Sequence, residues 1–517
     1  MIAIPAQTLH WIVLGGTAFV LLLLVLQYGG LLDSLRRLGS RGPVVGIILI
    51  VLALSTALAL RAGWTMTPAY EREIAVGPTI ADTVSRGFDT KGRFFERAQP
   101  LGRVLDANGA PLAAYALVDG HVQRTWPAGS ATSHLIGYWT GPLRDGVGIE
   151  RAMTMRNDQL RDGLPHDAQL TLDLRLQREA LRALGGNNGA IIVMDASNGA
   201  LLAAADLPTY DPARVWYSDA WSLYANDQRS KPLVSRAVRD NFSPGSSIKP
   251  LIAAAALHRY GGSLPDEGRW VCTGSYTPGR GIPPVSCHGT AHGAVDLNRA
   301  MRVSCNTYFS HLAYDVLGFE STATYLEGLG FNSRLRWNCT LPLNETTTLL
   351  PTSSWVRGRD AIARSRLGIG QASVKMNPIH YAAVLAGIAN GGRFPAPVIE
   401  QGRPADTLPW HISSTDARTL ESLFREPLLP GGTAAGAFPG GGVRGITVYG
   451  KTGTADREPD GREPSWFASY GRKNGRTYVV VVAIQNRRNR LAGDVNAPMA
   501  RTMYDALDRY GYFKSEQ

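Results

Sequence analysis

Two apolar stretches near the start of the chain restrict everything that follows them. The first runs roughly from Thr8 to Leu32 and the second roughly from Val44 to Leu60. Each is close to the ~20 apolar residues a helix needs to cross a bilayer. Met1 to Trp11 contains no Lys or Arg, so the first stretch lacks the basic lead of a secretory signal. The loop between the stretches carries Arg36, Arg37 and Arg41, and positive residues in short loops stay on the cytoplasmic side. The expectation is a two-pass anchor in the cell (inner) membrane, with all residues after Leu60 outside the cytoplasm. Trp11 and Trp64 lie near the outer ends, where amphipathic rings favour the interface. A buried helical hairpin is the competing reading.

At 517 residues the chain is too long for one ordinary core. Its net charge of +11 is spread along the sequence without a block of five or six like charges, which argues against a nucleic-acid partner. A basic surface suits an anionic lipid face or an acidic polymer, and equally a plain solvated exterior.

Residues 64–165 are turn-rich, with Gly102 to Gly109 reading as a strand that runs into a turn. They are expected to form a small extracytoplasmic spacer between the anchor (residues 1–63) and a large domain (residues 166–517). In that domain Asp173 is placed to cap a helix whose apolar positions are Leu174, Leu176, Leu181 and Leu184. Ala190–Asp195 and Ala200–Ala205, joined through Asn198-Gly199, read as a hairpin. His380 to Ala389 reads as a helix stopped by Asn390-Gly391-Gly392. Thr447–Gly450, Ser465–Tyr470 and Tyr478–Ile484 read as strands, and Ala497–Tyr510 as a closing helix. Strands at both ends with a helix-rich middle imply an α+β domain whose sheet is assembled from distant segments.

Three short motifs carry chemistry. In Ser246-Ser247-Ile248-Lys249 a helix starting after Pro244-Gly245 puts Ser246 in its first turn and Lys249 on the same face. A serine hydroxyl needs a neighbouring base, and a lysine serves only if burial or nearby cations depress its pKa. Ser304-Cys305-Asn306 is the second motif and Lys451-Thr452-Gly453-Thr454 the third. On a strand, Lys451 and Gly453 point one way and Thr452 and Thr454 the other, and the bare Gly453 lets a substrate lie close to the strand.

In this order, behind a membrane anchor, the three motifs resemble the penicillin-binding proteins of the monofunctional class B type. Gly148-Ile149-Glu150, Leu170 to Asp173, the hairpin, Leu207 to Pro212, Gly368-Ile369-Gly370-Gln371, Asn377-Pro378 and Trp466-Phe467-Ala468 fit the same family in sequence order. The resemblance covers roughly residues 100 to 512. It implies a serine penicillin-binding transpeptidase/β-lactamase-like domain, a central antiparallel sheet with helices. It implies peptidoglycan D,D-transpeptidase activity. Ser246 would attack the D-alanyl-D-alanine carbonyl of a stem peptide, and Lys249 would take its proton. Ser304 and Asn306 would line the cleft, Ser304 passing a proton to the leaving D-alanine, and Lys451 would hold the network. Thr452, Gly453 and Thr454 would bind substrate, with the N–H groups of Ser246 and Thr454 as oxyanion hole. β-Lactams would acylate Ser246. No glycosyltransferase domain fits before residue 165, so the resemblance also implies a polytopic membrane glycosyltransferase partner of the shape, elongation, division and sporulation (SEDS) type. A D,D-carboxypeptidase, a β-lactamase, and a non-catalytic β-lactam receptor or cell-wall scaffold are the alternatives.

No cofactor and no metal enter this reading. Cys272, Cys287, His288 and His292 have donors for zinc, but Gly289 and Gly293 disfavour a helix there, and the loop resembles one seen in the family without metal. Cys272 and Cys287 bracket a Gly/Pro-rich loop and are favoured as a disulfide staple, free buried thiols being the alternative. Cys305 reads as a packed thiol.

Overall fold

The computed structural model describes residues 101–515, apart from 119–120, 140–145, 161–163, 216–217, 266–268, 346–352, 356–360, 372–373, 459–460 and 486–489. The two apolar stretches, with Trp11 and Trp64, lie outside the described residues. Among those described, no helix is long and apolar enough to cross a membrane. Residues 84–215 and 222–517 fall into one contact unit, to which the following applies.

The expected strand-to-turn at Gly102–Gly109 is β1 (Val104–Leu105), which pairs antiparallel with β2 (Pro111–Val118); β2 in turn pairs with β3 (His121–Thr125). Helix α1 (Gly148–Leu160) follows. Its first turn buries Glu150, whose carboxylate accepts from Arg124 of β3 at 2.8 Å. β4 (Ala168–Gln169) closes this four-stranded sheet, lying parallel to β1. The chain then crosses into the main domain through α2 (Leu174–Leu184). The Asp173 carboxylate accepts from the Arg175 N–H at 2.8 Å and caps that helix.

The hairpin is β5 (Gly189–Asp195) with β6 (Leu201–Leu207). After it come α3 (Lys249–Tyr260), the short pair β7 (Trp270–Cys272) and β8 (Gly293–Val295), α4 (Asn306–His311) and α5 (Pro378–Ala389). Asn377 caps α5 by accepting from the Ile379 and His380 N–H groups, and Pro378 occupies the first turn, where its missing donor costs nothing. The chain continues through α6 (Ser414–Arg425), β9 (Gly442–Val443), β10 (Ile446–Thr454), β11 (Ser465–Lys473), β12 (Arg476–Ile484) and α7 (Ala492–Arg509).

The central sheet has the order β9-β10-β11-β12-β5-β6, and every neighbouring pair is antiparallel. Both faces are covered, which explains why its inner strands read as continuous apolar runs. Ile192 and Met194 of β5, with Val479 and Val481 of β12, face one core, against which α5 packs. Ile191 and Val193, with Val480 and Val482, face a second core shared with α2 and α7. The period-two alternation of each strand thus feeds two cores at once.

Candidate active site

The nucleophile turn is fixed by contacts that only small residues permit. Gly245–Ile248 forms a 3-10 turn that runs into α3, so Ser246 lies one turn ahead of the α-helix proper and Lys249 begins it. Gly245 has φ +52, and a Cβ there would come within 2.4 Å of the Thr454 carbonyl oxygen on β10. On the other side, a Cβ on Gly370 would come within 2.1 Å of the Gly245 oxygen. The Gly245 N–H donates to the Gly370 oxygen at 3.0 Å, and the Tyr381 hydroxyl donates to the Ser247 carbonyl at 2.6 Å. Trp466 of β11 donates from Nε1 to the Ser243 carbonyl at 3.0 Å. The turn is thereby held against β10 from one side and against α5 and the Gly370 loop from the other.

Ser304 is a non-glycine residue at φ +55, left-handed, at the tight turn into α4. That turn brings the second motif onto Lys249. The Lys249 ammonium is fully buried, and its Nζ lies 2.6 Å from the Ser304 carbonyl, 3.1 Å from Ser304 Oγ and 2.8 Å from Asn306 Oδ1. The Phe309 ring of α4 lies 5.4 Å from it. From β10, Lys451 Nζ reaches the same Ser304 hydroxyl at 2.9 Å and its own neighbour's carbonyl, Thr452 O, at 2.9 Å. Ser304 Oγ therefore stands between two amines. Burial pulls the Lys249 pKa down to about 7. Burial, then repulsion from Lys249, holds Lys451 well below the ordinary lysine range. When Lys249 is neutral, two N–H bonds remain for Ser304 O and Asn306 Oδ1, and its lone pair can accept from the Ser304 hydroxyl.

The cleft over these groups has a volume of about 480 Å³, and its lining includes Ser246, Ser304, Asn306, Thr452 and Thr454. Thr452 Oγ1 is paired with Thr433 Oγ1 at 2.6 Å. The strand alternation expected at the third motif holds: the two threonines face the cleft. Gly453 does not take the expected substrate-facing role. A Cβ on it would lie 2.1 Å from Ser247 Oγ and 2.3 Å from the Pro244 carbonyl, so its bareness makes room for the nucleophile turn.

The seven other expected site residues, Ser246, Lys249, Ser304, Asn306, Lys451, Thr452 and Thr454, converge on this cleft. Sequence reading missed Thr433, Phe309, Tyr381, and Lys375 with Glu458. The last two form an ion pair behind the turn, and Lys375 also donates to Ser243 Oγ at 2.9 Å. Thr433, Tyr381 and Lys375 lie well away from the motifs along the chain, with no local spacing to mark them, whereas Phe309 is three residues past Asn306 on α4 and Glu458 four past Thr454.

The expected Cys272–Cys287 staple is not formed, because all four cysteines are free and the two sulfurs are 3.8 Å apart. Cys272, Cys287, Cys305 and His292 are gathered on the cleft wall instead, their donor atoms within 4.8 Å of one another. His288 is not among them.

Residues 189–505 match the penicillin binding protein transpeptidase domain. The chain belongs to the penicillin-binding protein transpeptidase family. Its similarity to the peptidoglycan D,D-transpeptidase MrdA of Haemophilus influenzae is 27% identity over 378 residues, which is 65% of this chain and 55% of that one. The chain thus spans about half the length of the curated relatives it matches first. Among solved structures, the D,D-transpeptidase domain of a peptidoglycan glycosyltransferase from Eggerthella lenta superposes with a TM-score of 0.67 at 25% identity, covering 80% of this chain and all of that one. Penicillin-binding protein A of M. tuberculosis, solved as an imipenem acyl-enzyme complex, shares the fold with a TM-score of 0.66 at 22% identity, over 80% of this chain and 99% of that one. Within the family, the class B resemblance rests on the order of the three motifs and on relatives such as MrdA.

Proposed function

We propose that this chain is a membrane-anchored peptidoglycan D,D-transpeptidase that works through an acyl-Ser246 intermediate and captures β-lactams at the same serine. The observation that carries the reading is the buried Lys249 amine, joined to Ser304, Asn306 and, through Ser304 Oγ, to Lys451 in the cleft that opens on Ser246.

Neutral Lys249 takes the Ser246 proton as Oγ attacks the carbonyl of the penultimate D-alanine. The N–H groups of Ser246 and Thr454 are assigned as the oxyanion hole that stabilises the developing charge; losing one such donor costs about 10²–10³ in rate. The proton held by Lys249 passes through Ser304 Oγ to the departing D-alanine nitrogen, while Lys451 keeps that hydroxyl oriented. Thr452 and Thr454 offer hydroxyls to the substrate carboxylate. The acyl group then moves to an amine of a neighbouring stem peptide, and Lys249 takes that amine's proton.

The anchor and the spacer belong to the same proposal. The apolar stretches at Thr8–Leu32 and Val44–Leu60, with Arg36, Arg37 and Arg41 between them, support two passes and an extracytoplasmic catalytic domain. Residues 64–165 are assigned to the spacer and 166–517 to the transpeptidase domain. β1 to β4 support that division, although β4 ends at Gln169, a few residues beyond the boundary. A polytopic SEDS-type glycosyltransferase would supply the glycan strands.

Fluorescent penicillin labelling of wild type and Ser246→Ala tests the acyl-serine, and a donor stem peptide with an amine acceptor tests the transfer. Persistent Ser246-dependent label with cross-linked product is expected. Label with release of D-alanine alone would indicate a carboxypeptidase. Label without turnover of stem peptide would indicate a receptor or scaffold.

A further inference from the structure

Two charges in the cleft have no part in the acyl-transfer steps. Among the described residues that line it, Arg366 supplies the one guanidinium and Asp456 the one carboxylate, and there is no lysine. The two make no ion pair with each other or with a third residue among those described. Arg366 Nε is buried without a hydrogen-bond partner, while the side chain as a whole is partly exposed. A charged donor left unpaired out of water is costly, and a ligand that enters the site and pairs with it accounts for its presence. Neither charge is loosely placed. Arg366 lies in the last turn of the short helix Ala361–Leu367. That helix is fixed to α4 by the Ser310 hydroxyl, which donates to the Ser365 carbonyl at 2.7 Å. Close by, a Cβ on Gly368 would come within 2.2 Å of the Phe309 carbonyl oxygen. Asp456 follows Thr452 and Thr454 at the same two-residue step, just past the end of β10. Its N–H donates to Gln371 Oε1 at 3.4 Å, and the Gln371 N–H donates to the Arg366 carbonyl at 3.1 Å. Gln371 therefore joins the two.

Their place along the cleft says what meets them. At one end Thr452 is paired with Thr433, whose carbonyl oxygen a Cβ on Gly493 would approach within 2.1 Å. Ser246 follows Gly245, which abuts Thr454, and Asp456 lies beyond with Gln371 and Arg366. A donor whose terminal carboxylate is held by Thr452 and Thr454 has its leaving D-alanine toward the first end. The residue ahead of the two D-alanines runs the other way from Ser246, toward Asp456 and Arg366. A cation and an anion on either side of one glutamine, both unpaired, complement a group that carries both signs.

We infer that Arg366 and Asp456 determine which donor stem peptide is accepted, by gripping a side chain, on the residue ahead of the two D-alanines, whose end carbon bears both an amine and a carboxylate. The carboxylate pairs with the Arg366 guanidinium, whose planar fork matches it, and the ammonium pairs with Asp456. The inference rests on the transpeptidase reading of Ser246 and adds to it the class of donor. A side chain that ends in an amine alone satisfies Asp456 and leaves Arg366 Nε without a partner. Discrimination then comes from a missing partner rather than from shape, and a site built to pair with a polar group rejects the analogue that lacks it.

The test uses the full chain carrying Ser246→Ala, purified in detergent, so that peptides bind without turnover. Three pentapeptides ending in D-alanyl-D-alanine differ only in the residue ahead of that pair, which is diaminopimelate, its side-chain carboxamide, or lysine. Calorimetry is expected to show the diaminopimelate peptide binding about tenfold tighter than the other two, the low end for a charge-assisted pair because the cleft is open to water. Adding Arg366→Gln is expected to bring the three affinities together, and Arg366→Lys to recover part of the preference. Asp456→Asn is expected to weaken all three peptides, which share the amine, and to keep their ratio. Arg259→Gln, at the far end of α3 and outside the cleft lining, is expected to keep the full preference. Ratios are read within each variant, so a general loosening of the fold cancels, and the comparison with Arg366 intact decides even where a variant does not fold. Equal affinity for the three peptides would overturn the inference. So would no saturable binding of the diaminopimelate peptide at millimolar concentration, or a preference that survives Arg366→Gln. Fluorescent penicillin on the chain with Ser246 intact reads the acyl-serine alone. Label without a peptide preference sinks the charge pair and leaves the acyl-serine, and a preference without label does the reverse.

Discussion

The pH dependence of acylation addresses Lys249 directly. A lysine at its ordinary pKa is neutral in only about three molecules in ten thousand at pH 7, whereas one depressed to about 7 is neutral in about half. Burial therefore raises the population of competent base by about a thousandfold at pH 7. The sign follows from the direction of the shift. The neutral amine is present from about pH 7 upward and is lost as pH falls through that value. The second-order rate constant for acylation by a fluorescent penicillin is expected to fall about tenfold for each pH unit below 6 and to level off above about 8. Lys249→Arg keeps its charge at every accessible pH and is expected to lose acylation without a titration midpoint. Phe309→Leu removes the ring that lies 5.4 Å from Nζ. The ring face favours the ammonium and leucine offers no such face, so the midpoint is expected to fall, by about half a unit. A purely structural role for Phe309 would lower the plateau and leave the midpoint in place. A rate that stays flat between pH 5.5 and 8, or a wild-type profile still rising steeply at pH 9, would refute the assignment of Lys249 as the base.

Ser246→Ala is expected to abolish covalent β-lactam capture on gels while leaving stability in urea within about 0.5 kcal/mol, because one partly exposed hydroxyl is lost. Gly453→Val places a side chain 2.1 Å from Ser247 Oγ. It should cost about 1–3 kcal/mol in urea unfolding and slow acylation at least tenfold as the nucleophile turn is pushed off β10. Arg124→Met leaves the fully buried Glu150 carboxylate without its partner and is expected to cost about 3–5 kcal/mol at pH 7.5. Burial already raises the Glu150 pKa, so part of that loss should be recovered on unfolding at pH 5, where the carboxyl protonates.

Elements defined by local pattern were legible in the sequence. The Asn198-Gly199 hairpin, the Asp173 cap and the three C-terminal strands lie where periodicity and turn chemistry put them, with the strands extended by up to five residues. The closing helix starts earlier than the expected Ala497, at Ala492, so Pro498 falls in its interior rather than in its first turn. The candidate site residues were legible because they occur in short motifs whose order is itself informative. Distances that depend on loop closure were not. Nothing in the spacing of Cys272, Cys287, His292 and Cys305 says that a tight left-handed turn at Ser304 swings Cys305 onto the β7–β8 loop. Nor could strand alternation alone show that the bare face of Gly453 meets Ser247 rather than a ligand.

The strand order also bears on how the molecule is made. β5 leaves the ribosome early but pairs with β12, Ala190 opposite Ala483, after nearly all of the domain has been synthesised. Until then the β5–β6 hairpin presents an apolar edge of Ile191, Ile192 and Val193 with no strand beside it. Pairing over such a span is slow, and the edge stays uncovered until it is made. Holding the emerging hairpin apart from its copies on other chains is therefore a task for chaperones, and chains truncated before Arg476 should aggregate rather than fold.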